Sequence, residues 1–340
     1  MAAIDKPTSF DIAALAGVSQ PTVSRALRGD RTVSEATRLR IEAIARQLNY
    51  KVDRNASSLR GGQAKTLALL FFEDPLPDGS FINPFFLSML GSILMRCAQK
   101  GYDLLTSFQQ LSADWHKDYE DARKADGLIL LGYGDWETYR SRLTDLVRQD
   151  THFVRWGSVE PHGLGHVIGC DNLAGGRDVG RHLIERGRRR IAFVGDASNH
   201  YPEFRDRYRG LGEALAEAGI DADPALHVDS LSIEQGGYDA TRALIARGAG
   251  FDAIFAASDL IALGAMRALG EAGLGIPGDV SVVGFDDIPA ASSTRPPLTT
   301  VSQDYSRAGA ALVDALVRRI AGETGENAML PARLVVRASS

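Results

Sequence analysis

The sequence predicts an α/β protein, with a small three-helix head at the N-terminus and a larger core of parallel sheets flanked by helices. Three observations lead there. From Thr66 onward, apolar strand-like runs alternate with amphipathic stretches, the pattern of a parallel sheet covered on both faces. The first fifty residues instead carry helix caps and stops at short intervals. Charge divides at the same place: residues 1–64 hold ten Lys and Arg against six Asp and Glu, whereas the rest hold 28 against 37.

The head reads as three short helices. Thr8 caps the first, residues 9–16, with Asp11 in the capping-box position and Gly17 as its stop. Ser19 caps the second, residues 20–27, with Pro21 in the first turn, where a missing N–H costs nothing. In "VSQPTVSRALRG", Val18, Val23, Ala26 and Leu27 form one apolar stripe, leaving Gln20, Thr22, Ser24, Arg25 and Arg28 on the other faces. After the loop "RGDRTV", Ser34 caps a longer helix, "EATRLRIEAIARQLNY". Its Leu39, Ile41, Ile44, Ala45 and Leu48 are expected to close a small core. The following "KVDRNASSLRGGQAK" is polar, basic and ends in Gly61-Gly62, a linker composition.

In the core, strands are expected at "TLALLFF", "YDLLTSF", "DGLILL", "HFVRW", "RIAFVG", "DAIFAAS" and "VSVVGF". Helices are expected at 86–100, 173–186, 208–218, 236–247 and 260–271. This is long for one doubly wound sheet, so two lobes are expected, with a ligand cleft between them outside the carboxyl ends of the strands.

Composition limits the function classes. Apolar residues make up 44% and charged residues 24% of the 340, and no apolar run reaches the length of a membrane span. "MAAIDKPTSFDIAALAG" has no apolar signal core, so a cytoplasmic protein is expected. Two distant cysteines, Cys97 and Cys170, offer neither a disulfide framework nor a CxxC site and read as buried fillers. A basic head on an acidic body points to a polyanion partner for the head alone. No GxSxG, P-loop, HExxH or complete GxGxxG occurs, so no enzyme and no cofactor is expected. His162, His166 and Cys170 stand four residues apart, but "HGLGHVIGC" has too much glycine for a helix and reads as loop into strand, so no metal site is expected.

Several phrases then fall in one order and spacing: the head "TSFDIAALAGVSQPTVSRALRGDRTVSEATRLRIEAIARQLNY", "ASSLR", "NPFF", "ADGLILL", "DNLAGG", "HLIERGRRRIAFVG", "ASDLIALGAMRALGEAGLGIPGDVSVVGFDD" and "PPLTTVSQD". Together they resemble the lactose/galactose repressor (LacI/GalR) family over nearly the whole chain. The resemblance implies a helix-turn-helix head at 1–50, a hinge helix and linker at 51–64, and a two-lobed periplasmic-binding-protein-like (type I) core. It implies three passages between lobes, near 168, 300 and 325. The first lobe then takes 65–168 and 300–325, the second 169–299 and 326–340.

The resemblance also assigns roles. Gln20, Pro21 and Arg25 fall where the family reads bases, and Gln to adenine and Arg to guanine are the bidentate pairings that geometry favours. Ser19, Thr22, Ser24, Ser34 and Thr37 match phosphate-contact positions, in addition to the capping roles of Ser19 and Ser34. Pro21 has no side-chain donor or acceptor and offers only van der Waals contact, which shifts readout onto Gln20 and Arg25. Leu59 matches a hinge leucine that wedges into the minor groove, and Tyr50, Ala56 and Arg60 complete the DNA-binding set. Val52 stands where the family often has proline, and Ser57 where it often has arginine. For the cleft, Asp286 and Arg207 match positions that hold ligand hydroxyls, Phe85 and Trp156 match aromatic walls, and Arg155 and Ser258 match neighbouring contacts. Ser232 takes the place where the family often supplies an aromatic lid.

The resemblance therefore implies a cytoplasmic, nucleoid-associated transcriptional regulator, a repressor in the leading reading. It would be a homodimer on pseudo-palindromic operator DNA, controlled by a mono- or disaccharide between the lobes. "LVVRASS" carries no heptad pattern, so the tetramerising helix of some members is not expected. The alternative is a free-standing sugar-binding protein of the same fold, which would have no use for a basic head.

Overall fold

A computed structural model describes residues 7–27, 29–48, 50, 63–72, 82–108, 114–160 and 163–340. The chain divides into two compact units, Met1–Ala64 and Lys65–Ser340. In the first, α1 (Ser9–Ala16), α2 (Gln20–Leu27) and α3 (Glu35–Gln47) bury Ile12, Ala13, Ala16, Val23, Ala26, Ile41 and Ala45. Both halves of the Thr8–Asp11 capping box form, and Gly17 ends α1 in the left-handed region at φ 63°. One expectation fails here. Leu39 is 52% exposed, because at 100° per residue it falls opposite the stripe of Ile41, Ile44, Ala45 and Leu48.

The second unit holds two parallel sheets. The first lobe contains β1 (Thr66–Phe71), α4 (Pro84–Lys100), β2 (Asp103–Phe108), β3 (Leu128–Leu131), α5 (Trp136–Arg148), β4 (Phe153–Trp156) and β5 (His166–Cys170). The second contains α6 (Asn172–Glu185), β6 (Ile191–Val194), α7 (Pro202–Glu217), β7 (His227–Val228), α8 (Glu234–Ala246), β8 (Ala253–Ala256), α9 (Asp259–Glu271) and β9 (Ser281–Val283). Then follow β10 (Thr300–Ser302), α10 (Tyr305–Ile320), β11 (Ala328–Leu330) and β12 (Arg333–Val335). The strand orders are β11-β5-β4-β3-β1-β2 and β7-β6-β8-β9, all parallel, with an antiparallel β10-β12 pair.

All seven expected strand runs are strands; in all but the exposed edge strand β2, their near-continuous apolar character follows from burial on both faces. Along β1, Leu67, Leu69 and Phe71 join the cluster under α4, while Ala68 and Leu70 join the cluster under α5. Cys97 and Cys170 are buried and unbridged.

Two boundaries differ from expectation. The last passage between lobes follows Leu330 rather than residue 325. Ala328–Leu330 pairs in register with Ile168–Cys170 in the first sheet, and only Arg333–Val335 turns to β10. Helix α7 begins at Pro202, not 208, so Arg207 sits on a helix. Helices α6 and α7 touch through glycine: a side chain at Gly176 would place Cβ 2.1 Å from the Arg207 carbonyl oxygen, and one at Gly210 would place it 2.2 Å from that of Leu173.

This close crossing fixes where Arg207 stands. Gly176→Ala is expected to force the two helices apart and to lower unfolding stability by about 1–3 kcal/mol, measured by chemical denaturation. An unchanged midpoint with unchanged slope would show that the crossing tolerates a methyl group.

Candidate functional site

The carboxyl ends of strands from both sheets converge on one buried polar cluster. Arg207, on α7, is fully buried. Its Nε donates to Asn172 Oδ1 at 2.9 Å, its Nη2 donates to the Tyr133 hydroxyl at 3.0 Å, and its Nη1 donates to the Ala257 carbonyl. The guanidinium carbon lies 3.7 Å from the centroid of the Phe285 ring. Asp286, just beyond β9, is 1% exposed and sits 3.7 Å from Arg207 Nη1. Its Oδ1 accepts from the Tyr133 hydroxyl at 2.9 Å and from Gln303 Nε2 at 2.6 Å. Gln303 Nε2 also donates to the Tyr133 hydroxyl at 2.9 Å.

Aromatic rings wall this cluster. Phe85 and Trp156 lie 6.0 Å apart, Phe85 stacks parallel to Tyr133 at 6.4 Å, and Phe204 tilts against Tyr133 at 5.3 Å. Two buried acceptors, Asp286 Oδ2 and Gln303 Oε1, have no hydrogen-bond partner among the described residues. A buried acceptor left unmade costs about 1–3 kcal/mol, so such atoms mark where a ligand donor is welcome. Burial pushes the Asp286 carboxyl up to about 6 against the opposing pull of Arg207, Tyr133 and Gln303. Burial, and after it the charge of Asp286, pushes the neighbouring Asp259 carboxyl well above the usual range. Asp259 accepts from Thr300 Oγ1 at 2.5 Å and from the Ile288 N–H at 2.8 Å, which ties α9 to β10.

Four of the six expected cleft residues, Phe85, Trp156, Arg207 and Asp286, meet in this cluster. Arg155 does not. Strand alternation turns it to the face opposite Trp156, where Nε donates to the Leu164 carbonyl at 3.1 Å and the guanidinium lies 4.6 Å over the Trp136 ring. Ser258 caps α9, accepting from the Ile261 N–H at 3.4 Å and from Ser232 Oγ at 2.8 Å, one residue from the carbonyl that Arg207 holds. Tyr133, Gln303, Asn172 and Phe204 were missed. Tyr133 carried a usable signal: it stands two residues past the run "DGLILL", at the carboxyl end of β3.

The lobes also meet beside the cluster. Asp135 Oδ1 and His200 Nδ1 are 2.8 Å apart, the Trp136 N–H donates to the His200 carbonyl at 2.8 Å, and Arg205 Nη2 donates to Glu160 Oε1 at 2.6 Å. Ser158 donates its N–H to Glu203 and its hydroxyl to Asp206, both at 2.8 Å.

In the head, two helix starts carry matching hydroxyl pairs. Ser19 Oγ lies 2.9 Å from Thr22 Oγ1 at the start of α2, and Ser34 Oγ lies 2.9 Å from Thr37 Oγ1 at the start of α3. A hydroxyl pair at a positive helix end suits a phosphate. Ser34 caps α3 through the Thr37 N–H at 3.4 Å, whereas the Ser19 carbonyl rather than its side chain takes the Thr22 N–H. Pro21 and Arg25 are exposed, and Arg25 Nε lies 3.4 Å from the Pro21 carbonyl. Gln20 Nε2 donates to Ser9 Oγ at 3.2 Å, binding α2 to α1. Ser24 is half-buried, and Tyr50 is half-buried against the head core. Ala56, Leu59 and Arg60 lie outside the described residues, as does His162. His166 and Cys170 lie on β5, and among the described residues no group of three His, Cys, Asp or Glu side chains could hold a metal.

Two family models match the chain: "Bacterial regulatory proteins, lacI family" over 10–53 and "Periplasmic binding protein-like domain" over 181–340. The "HTH-type transcriptional regulator CelR" of Thermobifida fusca is 32% identical, covering 97% of this chain and 96% of its own. The solved "transcriptional regulator CelR-cellobiose complex" matches with a TM-score of 0.73 at 31% identity, over 98% of this chain and 100% of that one. The lac repressor dimer bound to operator and the anti-inducer ONPF matches with a TM-score of 0.83 at 27% identity, over 98% and 99% of the two chains.

Asp286 gives the cleft a pH signature. A carboxyl whose pKa is higher in the fold than in the unfolded chain stabilises fully below about 4, and that contribution is lost as pH rises through its folded value of about 6. The stability of the wild type relative to Asp286→Asn is expected to fall between pH 4 and 6.5 in thermal unfolding. A difference that stays flat over that range would contradict the burial argument.

Proposed function

Because the chain belongs to the LacI family of bacterial regulatory proteins, we propose that it is a transcriptional repressor whose operator affinity is set by a sugar bound between its lobes. The observation that carries the effector reading is the buried set of Arg207, Asp286 and Gln303. It offers both donors and acceptors, leaves two acceptors unmatched, and is enclosed by Phe85, Trp156 and Phe204. Alternating hydroxyls and C–H faces are what such a site accommodates: hydroxyls pair with the charged groups, and the ring face covers the aromatics. The CelR structure, a cellobiose complex, supports the same class of ligand.

In the head, Arg25 and Gln20 read bases, Pro21 adds van der Waals contact, and the Ser19–Thr22 and Ser34–Thr37 pairs hold phosphates together with Ser24. Tyr50, packed on the head core, and the hinge residues Ala56, Leu59 and Arg60 complete that surface. Two copies bind a pseudo-palindrome. The dimer reading is supported by the apolar face of α4, where Leu87, Leu94 and Met95 are exposed, and by the edge strand β2, where Leu105 and Phe108 are. A DNA partner makes this a cytoplasmic protein, and no helix of the described residues is long and apolar enough to cross a membrane. The cleft binds and does not catalyse, in keeping with relatives that are regulators. The head argues against a free-standing sugar-binding protein.

Effector and operator are then linked: a sugar changes operator affinity only by binding the two arrangements of the lobes unequally. Operator binding by the purified protein against a panel of mono- and disaccharides is expected to find at least one that changes DNA affinity severalfold. If none does, the linkage fails. For the head, Arg25→Ala is expected to flatten preference at one base pair, at about 1–3 kcal/mol of discrimination. Thr22→Ala should weaken all sequences alike, and a reversal of the two patterns would overturn the assignment.

A further inference from the structure

The Tyr133 hydroxyl does at the centre of the cleft what a sugar hydroxyl would do there. It donates to Asp286 Oδ1 at 2.9 Å and accepts from Arg207 Nη2 at 3.0 Å and Gln303 Nε2 at 2.9 Å. Its ring stacks parallel to Phe85 and lies edge-on to Phe86 at 4.8 Å, so it also uses the aromatic walls. Burial holds its phenol well above the usual range, so it stays a neutral donor and acceptor, like an alcohol.

The backbone is built to place it so. Tyr133 stands between Gly132 and Gly134 at the carboxyl end of β3. Gly132 has φ 150°, a value that residues bearing a Cβ rarely adopt, and a Cβ at 134 would lie 2.2 Å from the Phe72 carbonyl oxygen.

Resting on the sugar reading above, we propose that Tyr133 is an internal competitor of the effector. Its hydroxyl holds the Arg207–Asp286–Gln303 set as a ligand hydroxyl would, so a sugar reaches these groups by displacing it. Tyr133 thereby sets the affinity threshold of the cleft. It selects ligands that return at least as many hydrogen bonds as the phenol gives up.

Removing the hydroxyl while keeping the ring separates competition from contact. Tyr133→Phe leaves three buried groups short of one partner each, and a sugar hydroxyl then recovers what the wild type already had. Full-length wild type and Tyr133→Phe, titrated calorimetrically with ribose, glucose and cellobiose, are expected to differ. The sugar that binds the wild type should bind the variant about tenfold more tightly. Equal or weaker binding by the variant overturns the proposal, weaker binding making Tyr133 an ordinary ligand contact. If no sugar binds either protein, the sugar reading falls and this proposal falls with it. Should the variant fail to fold, 3-fluorotyrosine placed at position 133 of the otherwise wild-type chain gives a second readout. Its fluorine resonance should move toward that of solvent-exposed tyrosine as the sugar saturates the protein, and a resonance that stays buried overturns displacement.

Discussion

Much of this molecule is arranged around the burial of one guanidinium. Taking a charged side chain out of water costs several kcal/mol even after relaxation, and Arg207 is entirely enclosed. The cost is met from every side. Asn172 at the start of α6, the Ala257 carbonyl beyond β8, and Tyr133 from the other lobe each take an N–H. Asp286 supplies the opposite charge, and the Phe285 face covers the ion. All five of these partners lie one to three residues beyond the carboxyl end of a strand. Parallel sheets aim such positions at a common crevice.

That requirement reaches outward into the packing. Arg207 arrives where it does because α7 crosses α6 at glycine distance, and the carbonyl that faces Gly176 is its own. Asp286 arrives because the chain beyond β9 continues beside β10, the Asp286 N–H donating to the Val301 carbonyl at 2.8 Å. Asp259, buried and held by Thr300 and Ile288, fastens the same two segments from beneath. Burial raises both carboxyls, the charge of Asp286 raises Asp259 further, and the single cation of Arg207 does not fully reverse the effect of burial on Asp286.

The sequence was legible wherever the determining physics is local. Thr8, Gly17 and Ser34 announce helix ends because capping acts within four residues, and runs such as "LALLF" announce strands because both faces are buried. Leu39 went wrong by helical phase, and Arg155 by strand phase, a two-residue periodicity that places it opposite Trp156. The third passage went wrong because β11 joins the first sheet through partners about 160 positions upstream, at Ile168–Cys170. Arg207 and Asp286 were placed by family resemblance. Tyr133 and Gln303 belong to the same cluster with partners up to 170 residues away, and of the two only Tyr133 had a local mark, its place just past a strand run.

The cluster also explains how binding would be felt beyond the cleft. The chain passes between lobes after Cys170, after Ser302 and after Leu330. Asn172 lies on the first of these passages and Gln303 on the second. The third runs past Ala332, whose Cβ would be 3.1 Å from a side chain added at Gly175. Two of the three connections between lobes thus contribute side chains to the site, and Tyr133 reaches it from the first lobe. A ligand that exchanges for the Tyr133 hydroxyl therefore acts on the connections themselves and on the two hydrogen bonds by which Tyr133, just beyond β3, holds Arg207 and Asp286. Since a ligand shifts an equilibrium only by its differential contacts, contacts shared between both lobes and their connections are the ones that tell two lobe arrangements apart. Contacts confined to one lobe would bind a sugar equally well in either arrangement and regulate nothing.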